Sequence, residues 1–191
     1  MTLPDPPPAE PAPFRCFGTG DPLYEAYHDT EWGRPVHGDR ELYERLSLEA
    51  FQSGLSWITV LRRRETFRTA FAGFDPEAVA GFDDEDVARL MADPGIIRNR
   101  LKVEAVIANA RAVVALRASG GLSELVWSHA PAPRPAPLTP DDVPGSTPES
   151  AALAKALKAA GLRFVGPTTA YATMQACGLV DDHLAHCPAR R

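Results

Sequence analysis

Four residues near the two ends of this 191-residue chain carry metal-binding chemistry: Cys16 and His28 near the start, His183 and Cys187 near the finish. Two thiols and two imidazoles form a Cys2His2 donor set, the closed tetrahedral shell that structural zinc prefers. His183 and Cys187 stand four residues apart, which stacks their side chains on one face if that segment is helical. His186 is an adjacent spare, and His183 is preferred because it shares the face of Cys187. Spacing alone leaves a plainer alternative open, in which His28 is a hydrogen-bonded imidazole and no metal is involved. Three cysteines, an odd number at wide spacing, argue against a disulfide framework and for a reducing compartment, with the cytoplasm as the default. A metal site would also give the tail from Asp181 to Arg191, which has little apolar content, a reason to be ordered.

A second set of residues is aromatic. Phe17, Tyr24, Tyr27, Trp32 and Trp57 all fall in the first third of the chain, with Glu49 among them. Aromatics at helical spacing are most often core. Glu49 fits that explanation less easily, because Leu46-Ser47-Leu48-Glu49-Ala50-Phe51 sets a carboxylate among apolar neighbours, where it needs a partner or a cationic ligand. Electron-rich rings beside a carboxylate suit a flat, positively charged guest. A third set is the turn Phe164-Val165-Gly166-Pro167-Thr168-Thr169. Backbone amides there, with the positive end of the following helix, can hold a nucleic-acid phosphate through Gly166, Thr168 and Thr169; the alternative is an ordinary turn between helices.

The elements that must position these residues read as helix after helix, without the period-2 alternation of a sheet. Asp21-Pro22 opens a short helix bearing Tyr24, Tyr27 and His28 on one face. Asp39 is the expected cap of a second helix, through Leu42, Leu46, Glu49 and Phe51 to a stop at Gly54. Trp57 to Phe71 reads as one helix, Asp75 and Asp83 as caps of two short ones, and Ile96 to Ala118 as a long one. Pro131 to Pro144 is too rich in proline to be helical and is expected to link two parts of the domain. Thr147-Pro148-Glu149-Ser150 begins a helix that stops at Gly161, and another runs from about Thr168 to Cys177. The pair is a helix, a tight hairpin and a helix. The first 13 residues, with six prolines and neither a basic start nor an apolar core, read as a disordered arm and not as a secretory signal. Residues 14–188 are expected to form one all-α domain, with 189–191 as a tail.

Hydrophobic residues at 45% and charged residues at 24% are globular proportions, and no apolar run approaches the ~18–20 residues that span a bilayer. The net charge of −5 runs against a simple nucleic-acid binder. Its distribution matters more: residues 1–50 and 75–93 each carry −6, leaving the remainder at +7. Arg62, Arg63, Arg64, Arg98, Arg100, Lys102, Lys155, Lys158 and Arg163 are enough for a local phosphate-tracking face, or for ordinary solvated helix faces.

Several of these segments match a family. Asp21 to Tyr24, Tyr27 to Gly33, Leu48-Glu49, Gln52 to Leu61, Gly95 to Arg98, Asn109 to Arg111, Phe164 to Gly166 and Met174 to Val180 closely resemble the bacterial 3-methyladenine DNA glycosylase I family, over about residues 14–188. The resemblance implies a helix-hairpin-helix DNA glycosylase fold and one structural zinc on Cys16, His28, His183 and Cys187. It implies a base pocket of Glu49, Tyr27, Trp32 and Trp57 with Tyr24 and Phe17 nearby, and a monomer acting on alkylated double-stranded DNA. The expected reaction is hydrolysis of the N-glycosidic bond of 3-methyladenine, giving the free base and an abasic site. No hairpin lysine is present to form a Schiff base, so lyase activity is not expected. The usual catalytic Asp of helix-hairpin-helix glycosylases is absent from this family, and Asp181 and Asp182 are not assigned that role. Two features depart from the pattern: Phe17 stands where Trp often follows the first zinc cysteine, and segment 131–144 is unlike its counterpart and receives no role. Two rival readings stay open on the sequence: a non-catalytic DNA-binding protein whose pocket has become core, and a zinc hydrolase with one misassigned ligand and a metal-bound water.

Overall fold

The computed structural model describes residues 14–191, so the proline-rich arm 1–13 lies outside the described residues. Among the described residues there are ten α-helices and no strand: α1 Pro22–Thr30, α2 Asp39–Gln52, α3 Trp57–Leu61, α4 Arg64–Ala70, α5 Pro76–Ala80, α6 Asp84–Ala92, α7 Arg100–Leu116, α8 Gly121–Trp127, α9 Pro148–Ala159 and α10 Pro167–Ala176. The all-α expectation holds. No helix among the described residues is long and apolar enough to cross a membrane.

The capping chemistry explains most boundaries. Asp21 accepts from the backbone N–H groups of Leu23 and Tyr24 at 3.0 and 3.1 Å, with Pro22 at the first helical position. Asp75, Asp83 and Thr147 cap α5, α6 and α9 in the same way. Asp39 does not: it is already inside α2, and its carboxylate accepts from Ser123 N–H at 2.7 Å, across to the first turn of α8. That short helix, entered through Gly120 at φ +101°, is the element sequence patterning missed. The expected Trp57–Phe71 helix is two helices, broken where Arg62, Arg63 and Arg64 leave for Asp21, Thr59 O and Glu31. The long helix starts at Arg100 and not at Ile96, because Asn99 caps it by accepting from Lys102 N–H at 3.2 Å.

Helix α2 is the centre of the fold. Leu42 and Tyr43 are buried, and Leu46 to Phe51 are buried without a break, so the second half of the helix is enclosed nearly all round while Arg40 and Glu41 face solvent on the first half. It packs against α3, α7, α8 and α10. Tyr43 Oη donates to Val106 O at 2.9 Å, joining α2 to α7. The buried Lys102 of α7 donates to Phe51 O at 3.0 Å and Ser53 O at 2.8 Å, closing the end of α2. Residue Glu49 therefore projects from a helix packed against four others.

The two ends of the chain meet along a backbone seam. Gly33 N–H donates to Gln175 O at 3.0 Å and Val36 N–H to Cys177 O at 3.1 Å. Gly178, at φ +72°, lies so close that a Cβ there would sit 2.5 Å from the carbonyl carbon of Arg34. Only glycine allows both that conformation and that approach. The proline-rich segment, irregular apart from a 3-10 turn at Pro140–Asp142, packs on the tail, with Ala185 N–H donating to Pro137 O at 2.8 Å. Residues expected beyond the domain are also tied in: Arg190 Nη1 donates to Asp181 O and His183 O at 3.0 and 2.7 Å.

Candidate active site and metal centre

The seam brings Cys16, His28, His183 and Cys187 together, with one donor atom of each within 4.8 Å of the others. Cys187 Sγ lies 3.6 Å from His28 Nε2 and 3.5 Å from His183 Nδ1, and Cys16 Sγ lies 3.8 Å from His183 Nδ1. A tetrahedral zinc site with bonds of about 2.0–2.3 Å separates its donors by about 3.3–3.8 Å, so the cluster fits that ion. The outer atoms fit as well. His28 Nδ1 meets Asp29 Oδ1 at 2.7 Å, with Asp29 held by Arg15 at 2.8 Å, and His183 Nε2 donates to Trp32 O at 3.2 Å. Each imidazole thus has its second nitrogen occupied and its first turned to the cluster. The condition attached to His183 and Cys187 is not met, since residues 181–191 form turns and no helix; a turn with Cys187 N–H on Leu184 O at 2.8 Å brings the pair together instead. His186 stands outside the cluster, its ring 4.2 Å from Phe14.

Beside the cluster is a cavity of about 130 Å³ lined by Phe17, Tyr24, Tyr27, Trp32, Glu49 and Trp57, with Gln52, Ala172 and Gln175 completing the wall. All six residues of the sequence-predicted pocket line it. Helix α1 supplies the tyrosines, α2 supplies Glu49, and α3 begins with Trp57. Phe17 packs 4.9 Å from Tyr24 and edge-on to both His28 and Trp32 at 4.9 Å, joining metal cluster and cavity; Tyr27 and Trp57 lie 5.2 Å apart. Two groups here are unpaired. Trp57 Nε1 is buried with no partner among the described residues. Glu49 is 6% exposed, and burial pushes its carboxyl up to about 8, opposed by the positive charge of Arg45. No donor among the described residues satisfies it. Burial, then the Glu49 charge, raises Tyr27 as well.

Arg45, one turn before Glu49, is a residue that sequence reasoning did not select, although the i,i+4 spacing signals it. Its guanidinium bonds Glu31 at 2.9 Å, alongside Arg64. Burial alone would raise Glu31, but the two arginines hold its carboxyl below the usual range. Arg45 Nη2 is thereby engaged by Glu31, while Arg45 Nη1 is buried with no partner among the described residues, and neither bonds Glu49. Asp182, passed over in the sequence as a catalytic acid, is engaged by Tyr171 Oη at 2.5 Å, Gln175 Nε2 at 2.9 Å and Arg134.

The hairpin between α9 and α10 presents Gly166 as the N-cap of α10, Pro167 at its first position, Thr168 exposed and Thr169 half-buried. A groove lined by Ser53, Lys158, Phe164, Val165, Gly166 and Thr169 runs beside it. Only part of the expected basic face is available: Arg64 pairs with Glu31 and Lys102 is buried, whereas Arg98, Lys155, Lys158 and Arg163 are exposed, as is Arg62 in a surface pair with Asp21. Asn109 fixes the hairpin from α7, donating through Nδ2 to Arg163 O at 3.1 Å and accepting Arg163 N–H at 2.6 Å. Asn109→Ala strands both backbone groups and is expected to lower stability by about 1–3 kcal/mol, read from the midpoint of urea unfolding at unchanged slope.

Comparison with known proteins adds a second line of observation. A family model described as methyladenine glycosylase matches residues 17–191. The DNA-3-methyladenine glycosylase 1 of Escherichia coli (strain K12) is 50% identical over 178 residues, which cover 91% of this chain and 95% of that protein. A crystal structure of a 3-methyladenine DNA glycosylase I superposes with a TM-score of 0.90 at 48% identity, covering 93% of this chain and 100% of the other. The Staphylococcus aureus 3-methyladenine DNA glycosylase I, solved to explain 3-methyladenine recognition, superposes with a TM-score of 0.87 at 36% identity, covering 92% and 95%.

Proposed function

The chain belongs to the methyladenine glycosylase family, and from that premise we propose that it excises 3-methyladenine from alkylated double-stranded DNA, releasing the free base and leaving an abasic site without lyase activity. The observation that carries this reading is the unpaired, buried Glu49 carboxyl in an aromatic-walled cavity. A neutral base offers such a carboxyl a hydrogen bond but no charge to oppose. A base methylated at N3 is a cation while attached to the sugar, and it satisfies both the rings and the carboxylate.

The chemistry then needs little acid catalysis. Water adds at the sugar carbon and gives up a proton to solvent, the N-glycosidic bond breaks, and its electron pair discharges the cation to a neutral base. The damaged nucleotide must leave the stack to reach the cavity. Tyr24, Tyr27, Trp32, Trp57 and Phe17 supply ring faces, and Glu49 accepts a hydrogen bond from the base edge and opposes its charge. Glu49 thus acts by recognition and electrostatics and not as a proton abstractor. Gly166, Thr168 and Thr169 hold a DNA phosphate at the hairpin.

The Cys2His2 set would hold one structural zinc, which ties the tail to the first helix. Four protein donors leave no open position for a metal-bound water, which favours this role over a zinc hydrolase. We read residues 14–188 as one domain acting as a cytoplasmic monomer.

A pH profile tests the role of Glu49. With its carboxyl near 8 in the free protein, Glu49 is mostly protonated at pH 7 and ionises as pH rises. Single-turnover excision under subsaturating enzyme should therefore climb between about pH 6 and 8 and then level off, by up to about tenfold per pH unit on the rising limb. A profile flat across that range in the wild type would remove the carboxylate from the rate.

A further inference from the structure

Gln175 lies where two cavities share a wall. It lines the base cavity with Glu49 and Trp57, and also a neighbouring cavity of about 240 Å³ bounded by Pro140, Val143, Asp182 and Leu184. Its backbone is fixed, because Gln175 O accepts Gly33 N–H at 3.0 Å, directly after the pocket residue Trp32. Its side chain is fixed as well. Asp182 is 2% exposed and accepts from Gln175 Nε2 at 2.9 Å, from Tyr171 Oη at 2.5 Å and from Arg134. Arg134, from the proline-rich segment, donates both to Tyr171 Oη and to Asp182, which leaves the phenol proton for Asp182, so both carboxylate oxygens are engaged as acceptors and the amide turns its nitrogen to Asp182. The orientation of Gln175 is thus dictated by a buried acceptor.

Asp182 borders the neighbouring cavity and not the base cavity, so the nitrogen is held on that far side. The second amide N–H and the amide oxygen are left, and the oxygen is the acceptor among them; no donor among the described residues occupies it. We infer that Gln175 is a specificity-determining residue of the base cavity, presenting a fixed acceptor to the exocyclic amine of the bound base, and that Asp182 and Arg134 are the positioning residues that hold it so. The inference rests on the reading of this cavity as a base pocket. An acceptor held in this way favours adenine-type bases, which carry an amine at that edge, over bases bearing a carbonyl there, whose oxygen would face the amide oxygen without a proton between them. It also gives segment 131–144 a purpose: its arginine reaches the pocket through two side chains, Asp182 and Gln175.

The test compares two free bases by titration of tryptophan fluorescence: 3-methyladenine, and 3-methylpurine, which lacks the amine. The zinc-replete wild type should prefer 3-methyladenine. Gln175→Met keeps the length of the side chain without its acceptor, and should reduce that preference about tenfold by weakening 3-methyladenine alone. Asp182→Asn, also zinc-replete, provides a donor that lets the amide invert, and should lose the preference while retaining Gln175. A wild-type preference kept in Gln175→Met, at unchanged zinc content and melting temperature, would overturn the assignment of Gln175. A preference kept in Asp182→Asn would overturn the clamp. If the wild type binds neither base, the base-pocket reading fails and this inference falls with it, an outcome distinct from either variant's failure.

Discussion

Glu49→Gln is expected to slow excision of 3-methyladenine from alkylated DNA by roughly 10- to 100-fold, with zinc content unchanged. A hydrogen bond to a charged group contributes about 1.5–3 kcal/mol, and each 1.4 kcal/mol is a factor of ten in rate. Glutamine keeps the shape of the side chain and one accepting oxygen, but removes the charge and turns the other acceptor into a donor, so the loss reads charge and acceptor together. The variant should also lose the rising limb of the pH profile. Its stability makes an independent reading. The Glu49 carboxyl is raised in the folded chain to about 8 from an ordinary value of 4.5. Folding therefore favours the protonated form, and wild-type stability falls as pH climbs from about 4.5 through 8, levelling off above. Glu49→Gln abolishes that slope, so its melting temperature relative to the wild type should rise between pH 5 and pH 9. Unchanged excision kinetics would place Glu49 outside the reacting site.

Loss of the metal is expected to have the largest effect on stability. Structural zinc contributes about 10–16 kcal/mol where the site forms only on folding. Even a third of that, at about 2–4 °C per kcal/mol for a chain of this length, lowers the melting temperature by about 6–20 °C. Cys187→Ser should show this loss together with less than one zinc per chain. Cys177→Ser should keep a full zinc complement, because Cys177 is buried at the end of α10 and outside the cluster. Chelation should expose the tail from Asp181 onward to proteolysis before the body of the domain, since its order depends on the cluster, on Arg190 and on the proline-rich segment. A protein that binds no zinc and melts at the same temperature with and without chelator would contradict the metal assignment.

What could be read from the sequence follows physical rules of short range. Helix starts at Asp21, Asp75, Asp83 and Thr147 were legible because a cap and its N–H partners lie within three residues of one another. Asp39 misled for the same reason: its carboxylate serves Ser123, 84 residues away, and no local pattern reports that. The metal cluster and the aromatic pocket were legible as residue types, yet spacing alone could not bring the two ends of the chain together. The seam that does so is made of backbone hydrogen bonds and a close approach at Gly178, which leave little trace in a hydropathy pattern. Gln175 stands in a matched segment but receives no role from the sequence, and neither does Arg134, because both meet Asp182 only in the fold. The basic face is smaller than the sequence suggests, since Arg64 and Lys102 look free in sequence and are committed to internal acceptors in the fold.

The reading of this chain as a base-excising enzyme is tested most directly by release of labelled base from alkylated double-stranded DNA. DNA methylated with a labelled reagent, incubated with the zinc-loaded protein beside an unmethylated control, should yield free 3-methyladenine and an alkali-labile abasic site, with no strand cleavage before alkali. Absence of any released base, from protein shown to be folded and zinc-replete, would contradict it.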